Sequence, residues 1–179
     1  MNTLYIEYSG MRPNLREAVY KTNQLLRTET FYEKITAVEQ FHMADIQARD
    51  IAWLIKNTKI HMQVDLYYAI SPLKNVDIYD DASTPDIINM NLWRLDRPVA
   101  SLCNSLLHGC VHAVNARYDQ YYFGHGDSNP EGKEHTAPYL IGQIGEEMIA
   151  GREKADIYLQ HDDIRPTGHE LRSLLRFCA

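Results

Sequence analysis

Residues 97–118 carry the most regular helical pattern in this sequence of 179 residues. At about 100° per residue, one face of such a helix collects small and polar side chains: Ser101, Asn104, Ser105, His108, His112 and Asn115. The opposite face collects apolar side chains: Val99, Leu102, Cys103, Leu106, Cys110, Ala113 and Val114. We therefore predict a helix that packs its apolar face on a core and lines a cleft with its polar face. Asp96 is a suitable N-cap, and Pro98 suits the first turn.

Two histidines lie on the polar face of this helix, His108 and His112. Side chains four residues apart are neighbours on a helix, so both imidazoles can bind one metal ion. In the H-E-x-x-H zinc motif, the residue after the first histidine is the glutamate that acts as general base. Here that position is Gly109. A glycine inside a helix costs about 1 kcal/mol relative to alanine, and the local sequence gives no structural reason for it.

A third histidine that could bind the same ion follows in the segment Gly124-His125-Gly126. Twelve residues separate His125 from His112. Glycines on both sides allow the backbone to turn sharply and to bring the imidazole back to the helix. Asp127, in the same segment, is the nearest alternative with an oxygen ligand.

The pair His108 and His112, followed by Gly124-His125-Gly126, resembles the SprT-like zinc metallopeptidases. Their pattern is H-E-x-x-H, about a dozen residues, and then a histidine within G-H-G, so the match covers about twenty residues here. The resemblance implies a zincin-like fold, a Zn²⁺ ion bound by His108, His112 and His125, and hydrolysis of peptide bonds by zinc-activated water.

A second zincin branch, the gluzincins, takes its third ligand from a glutamate on a later helix. Here that ligand would be Glu146 or Glu147, on a helix predicted over residues 136–151. Either glutamate could instead lie on a solvated helix face or orient a ligating histidine.

Catalysis at such a site also needs a donor that stabilises the oxyanion, and a tyrosine phenol is a suitable one. The candidates are Tyr118, Tyr121, Tyr122 and Tyr139. Tyr122 and Tyr139 flank the G-H-G segment, and we therefore assign them to the site.

The resemblance further implies that a strand near the motif helix is the sheet edge that pairs with the substrate backbone. Residues 87–95, just before the helix, are expected in that role because an edge strand offers free N–H and C=O groups to a peptide. Asn89 and Asn91 suit a face turned to solvent or to a cleft. The alternative, which we favour, is an ordinary half-buried strand.

Two departures from the family pattern limit the expected function. Gly109 replaces the general base, so the chain as written should be silent or strongly impaired. Two explanations compete: a substitution that silences a working protease, which we favour, and a natural pseudo-peptidase. A zinc-stabilised module that binds peptides or proteins is a further alternative. No cysteine-rich zinc ribbon follows, so the DNA-associated role of the SprT group is not expected.

The remaining pattern predicts one domain over residues 1–179 with an α+β fold. Strands are expected at residues 3–8, 62–70 and 87–95, with a short extended piece at 76–79. Helices are expected at residues 13–26, 29–41, 45–57 and 136–151, with a short one at 169–177. We predict a small, mostly antiparallel sheet packed on the motif helix and on the N-terminal helices.

Composition excludes several function classes. The net charge of −6 disfavours general nucleic-acid binding, and no apolar run approaches the length of a membrane span. Three cysteines cannot build a disulfide framework, and the first residues lack a signal-peptide pattern. A cytoplasmic protein acting on a protein or peptide substrate is the default expectation, with signal-less export as an effector the alternative.

Overall fold

The computed structural model describes residues 4–69, 78–79, 83–125 and 132–162. Within them, the helices are α1 (Pro13–Leu25), α2 (Glu29–Thr36), α3 (Ala48–Asn57), α4 (Val99–Ala116) and α5 (Ala137–Asp162). The strands are β1 (Leu4–Glu7), β2 (Ile60–Tyr67), β3 (Ile78–Tyr79) and β4 (Ile87–Asn91). Short 3₁₀ helices span Leu92–Arg94 and Lys133–His135. The predicted α+β class is confirmed. The short helix predicted over residues 169–177 lies outside the described residues.

The strands form one sheet in the order β1-β2-β4-β3. β1 pairs with β2 in parallel, β2 pairs with β4 in parallel, and only the two-residue β3 runs antiparallel to β4. The predicted mostly antiparallel sheet is therefore wrong. Helices α1 to α3 lie between β1 and β2 in the chain, and a connection of that length allows two neighbouring strands to run the same way.

The edge role that the resemblance implies for residues 87–95 is also corrected, and the structure has a partly buried strand inside the sheet instead. β4 lies between β2 and β3, so Asn89 and Met90 already have a neighbour on each side. The strand ends at Asn91 because the Asn91 side chain accepts a hydrogen bond from the backbone N–H of Trp93, which starts a 3₁₀ turn. Asn91 is fully buried and does not face solvent.

The outer edge of β1 is closed by a side chain. Asn23 of α1 accepts a hydrogen bond from the Ile6 N–H at 3.0 Å and donates one to the Ile6 carbonyl at 2.8 Å. The asparagine thus pairs with Ile6 as a neighbouring strand would, and a peptide cannot add to the sheet at that residue.

Helix α4 is the centre of the fold and packs against α1, α3, α5 and β4. Its predicted apolar face is buried except for the partly buried Val99, and burial extends to Ser105 and His108 on the polar face. The helix begins at Val99 after Pro98, so Asp96 is not its N-cap. No helix among the described residues is long and apolar enough to cross a membrane.

Helix α5 approaches α4 closely at Gly142, where an added Cβ would lie 3.0 Å from the Asn104 backbone oxygen. In the same helix, a Cβ at Gly151 would meet nothing within 4 Å. We expect Gly142→Ala to destabilise the protein by about 1–3 kcal/mol, because neither backbone can yield cheaply. Gly151→Ala should stabilise it by about 0.5–1 kcal/mol through helix propensity alone. Urea denaturation of both variants tests this, and equal effects would contradict the packing at Gly142.

Candidate metal centre

Three histidines converge at the surface of α4. The Nε2 atoms of His108 and His112 lie 3.1 Å apart, and His125 Nε2 lies 3.1 Å from the first and 2.9 Å from the second. His108 and His112 come from consecutive turns of α4, and His125 comes from the segment that follows it. Among the described residues, these three side chains form the cluster able to hold a metal ion.

The geometry fits a metal ion better than hydrogen bonds. A ring nitrogen carries at most one proton, so three mutually close Nε2 atoms cannot all satisfy one another. Imidazole nitrogens bind Zn²⁺ at about 2.0–2.1 Å, so three nitrogens this close together could all reach one ion. The donor set of three imidazoles suits zinc as well as copper, iron or nickel.

Burial favours the neutral form of His108 and His112, which metal binding requires. Desolvation lowers the pKa of His108 to about 2, helped by the nearby His112, His125 and Lys133. Desolvation also lowers the pKa of His112 to about 4, with a smaller contribution from His125. Both side chains therefore offer a free electron pair at neutral pH without first losing a proton.

The alternative oxygen ligands do not join this cluster. Glu146 accepts a hydrogen bond from Asn104 at 2.6 Å, one helical turn before His108, and Glu147 accepts one from Gln143 at 2.9 Å. Asp127 and Gly126 lie outside the described residues. The histidines His61 and His135 are exposed and each lies beside a glutamate instead.

Tyr139 is the predicted phenol that the fold brings to the histidines. Its ring lies edge-on to His108, with centroids 4.6 Å apart, and 5.2 Å from the His125 ring. The Lys133 Nζ atom lies 5.4 Å from the Tyr139 ring centroid. Tyr139 belongs to the first turn of α5, so the helix that packs on α4 also places this ring.

The other tyrosines are placed differently. Tyr122 is 40% exposed and lies beside Gly124, where its hydroxyl would be 3.7 Å from an added Cβ. The Tyr118 hydroxyl accepts a hydrogen bond from Thr58. Tyr121 is 39% exposed. Tyr122 therefore neighbours the histidine segment, but the described contacts give it no ring contact with the cluster.

Gly109 has a packing role that the sequence does not reveal. A Cβ at this position would lie 3.0 Å from Cγ1 of Ile88 and 3.3 Å from its Cδ1 and Cγ2. The glycine therefore lets α4 cross β4 closely, and the expectation that it serves no structural purpose is wrong. The contact joins residues far apart in the chain, so no local pattern could predict it.

The role predicted for Gly124 is also corrected. Gly132 is the glycine with a positive φ among the described residues, so Gly124 does not use the left-handed region. An added Cβ at Gly124 would instead lie 3.2 Å from Oδ1 of Asn115. The glycine is needed for close approach to α4.

Sequence reasoning missed two residues that hold the His125 segment, Asn115 and Asp45. The sequence pattern places Asn115 on the polar face of the helix predicted over residues 97–118, beside the two histidines, but assigns it no role in the site. The helix predicted over residues 45–57 begins at Ala48, which leaves Asp45 in the loop before it.

Comparison of the chain with known protein families, curated proteins and solved structures found no match.

Proposed function

We propose that this chain has the framework of a zinc-dependent metallopeptidase, with His108, His112 and His125 as the metal ligands. The observation that carries the proposal is the convergence of three Nε2 atoms within 2.9–3.1 Å of one another. The three imidazoles would hold a Zn²⁺ ion, and the ion would supply the Lewis acidity that activates water for attack on a peptide carbonyl. A protein or peptide is the proposed substrate.

The chain's own residues account for part of such a reaction. The buried wall formed by α4 fixes the two histidines and excludes water from one side of the site. The Tyr139 ring contacts two of the three imidazoles, so its phenol is the candidate donor to a developing oxyanion. No proton acceptor exists at Gly109. Loss of a positioned base costs about 10²–10⁴-fold in rate, so we propose that the chain binds substrate but cleaves it poorly.

A second candidate function is favoured by the packing of Gly109. The Ile88 side chain leaves little room for a Cβ at position 109, so a glycine is the residue that fits the present packing of α4 on β4. This supports a natural pseudo-peptidase, which keeps the metal and binds a peptide or protein partner, over a silenced enzyme. A third candidate, the zinc-stabilised binding module, differs from both in requiring the ion for folding.

Removal of the metal separates the third candidate from the other two. We expect the chelated protein to keep its far- and near-UV circular dichroism, because an extensive apolar core surrounds α4 without help from the site. Zinc at a hundredfold excess over its Kd should stabilise it by about 2.7 kcal/mol, measured by thermal unfolding. His112→Ala, which removes a ligand, should unfold at the same temperature with and without zinc. A chelated wild-type protein that unfolds outright would favour the binding module.

A further inference from the structure

The segment that carries His125 is held to α4 by the side chain of Asn115. Asn115 Nδ2 donates a hydrogen bond to the Tyr121 carbonyl at 2.8 Å. Asn115 Oδ1 accepts one from the Phe123 N–H at 3.2 Å. One amide side chain therefore pairs with a backbone acceptor and a backbone donor two residues apart, which sets both the distance and the direction of this segment.

Asn115 is well placed to couple the third histidine to the other two. It follows His112 by three residues, so both lie on the same side of α4, within one turn. Gly124 lies so close to Asn115 that an added Cβ would come within 3.2 Å of Oδ1. Phe123, the residue before Gly124, is fully buried and anchors the segment in the core. The helix that supplies two histidines thus also positions the third.

A second clamp holds the segment from the other side. The Asp45 N–H donates to the Tyr122 carbonyl at 2.9 Å, and Asp45 Oδ1 accepts from the Tyr122 N–H at 2.9 Å. His42 lies three residues before Asp45 in the same loop. Its N–H donates to the carbonyl of His135, just before α5, at 2.9 Å. The backbone just before His125 is therefore bonded on both edges.

We propose that Asn115, supported by Asp45, is a positioning residue of the metal centre. This inference rests on the proposed metal-binding role of the three histidines. His125 belongs to no helix or strand, so an unclamped segment would have to be ordered when the metal binds. Ordering each residue costs free energy, which would be subtracted from the affinity. The hydrogen bonds of Asn115 and Asp45 order the segment when the protein folds, so metal binding does not have to order it.

The test is a double-mutant cycle on zinc affinity, measured by competition with a chromophoric chelator. Asn115→Ala should weaken zinc binding about 10–100-fold, the range typical of residues that orient metal ligands. In a His125→Ala background the same substitution should change the affinity less than twofold, because the group it positions is already gone. The Co²⁺ form of Asn115→Ala should also show the altered visible spectrum of His125→Ala.

Asp45 provides an independent variant if Asn115→Ala folds poorly. Asp45→Ala removes the acceptor for Tyr122 and should weaken zinc binding severalfold. Asp45→Asn keeps an acceptor oxygen while removing the charge, and should restore the wild-type affinity. Asn57→Ala is the matched control, because Asn57 also donates to a backbone carbonyl near a helix end, that of Trp53 at 2.8 Å. It should leave zinc affinity unchanged.

Two results would overturn the inference while leaving the metal site intact. One is a wild-type affinity in both Asn115→Ala and Asp45→Ala. The other is an equal loss from Asn115→Ala with and without His125, which would indicate general damage to the fold. A wild-type protein that binds no zinc would overturn the proposed function itself, and the inference with it.

Discussion

Replacement of His108 or His112 by alanine should reduce the zinc content of the purified protein from about one ion per chain to a trace. Each substitution removes one of three converging nitrogens and leaves a pair that binds zinc far more weakly. Metal analysis by mass spectrometry after dialysis measures the effect. His61→Ala is the control, because His61 lies exposed on β2, paired with Glu7 at 2.9 Å.

The same measurement decides the third ligand. His125→Ala should lose zinc as well, whereas Glu146→Gln should retain it, since Glu146 hydrogen-bonds Asn104 and lies outside the histidine cluster. Thermal unfolding establishes that each variant is folded. Full zinc content in folded His108→Ala and His112→Ala would show that the site is wrongly assigned.

Introduction of a glutamate at position 109 should raise peptide cleavage by about 10²–10⁴-fold, provided that Ile88 is shortened at the same time. On α4, residue 109 lies about 100° from His108 and about 60° from His112, so a carboxylate there can reach toward a metal-facing water without becoming a ligand. The Ile88 side chain now occupies the space next to it, 3.0–3.3 Å from an added Cβ. Ile88→Ala removes all three of the contacting carbons.

The assay compares the two double variants Gly109→Glu/Ile88→Ala and Gly109→Gln/Ile88→Ala on a peptide library at equal zinc occupancy. The glutamine form has the same size but cannot take up the proton. Ile88→Ala alone controls for the repacking, which should cost about 2–5 kcal/mol of stability. If the glutamate form is folded, binds zinc and is as inert as the glutamine form, the peptidase proposal fails and the binding-module proposal replaces it.

The direction of the sheet strands shows the limit of local sequence patterns. The alternation over β2 predicted a strand, and the structure has one at Ile60–Tyr67. Alternation reports which side chains are buried, but it carries no information on the neighbouring strand or its direction. Those depended on how α1 to α3 fill the connection between β1 and β2, which is a property of the packed chain.

The candidate site divides in the same way. The sequence by itself determined that His108 and His112 share one face of a helix, because a spacing of four residues is a local consequence of helix geometry. The G-H-G spacing predicted that His125 would join them, as it does. Only the tertiary structure decided that Gly109 packs on Ile88 and that Asn115 and Asp45 clamp the segment before His125. The physical reason is that Gly109 and Asp45 contact residues distant in the chain, and Asn115 meets Phe123, eight residues on, only because the chain turns back on α4 after that helix ends. These partners are defined only once the core has formed.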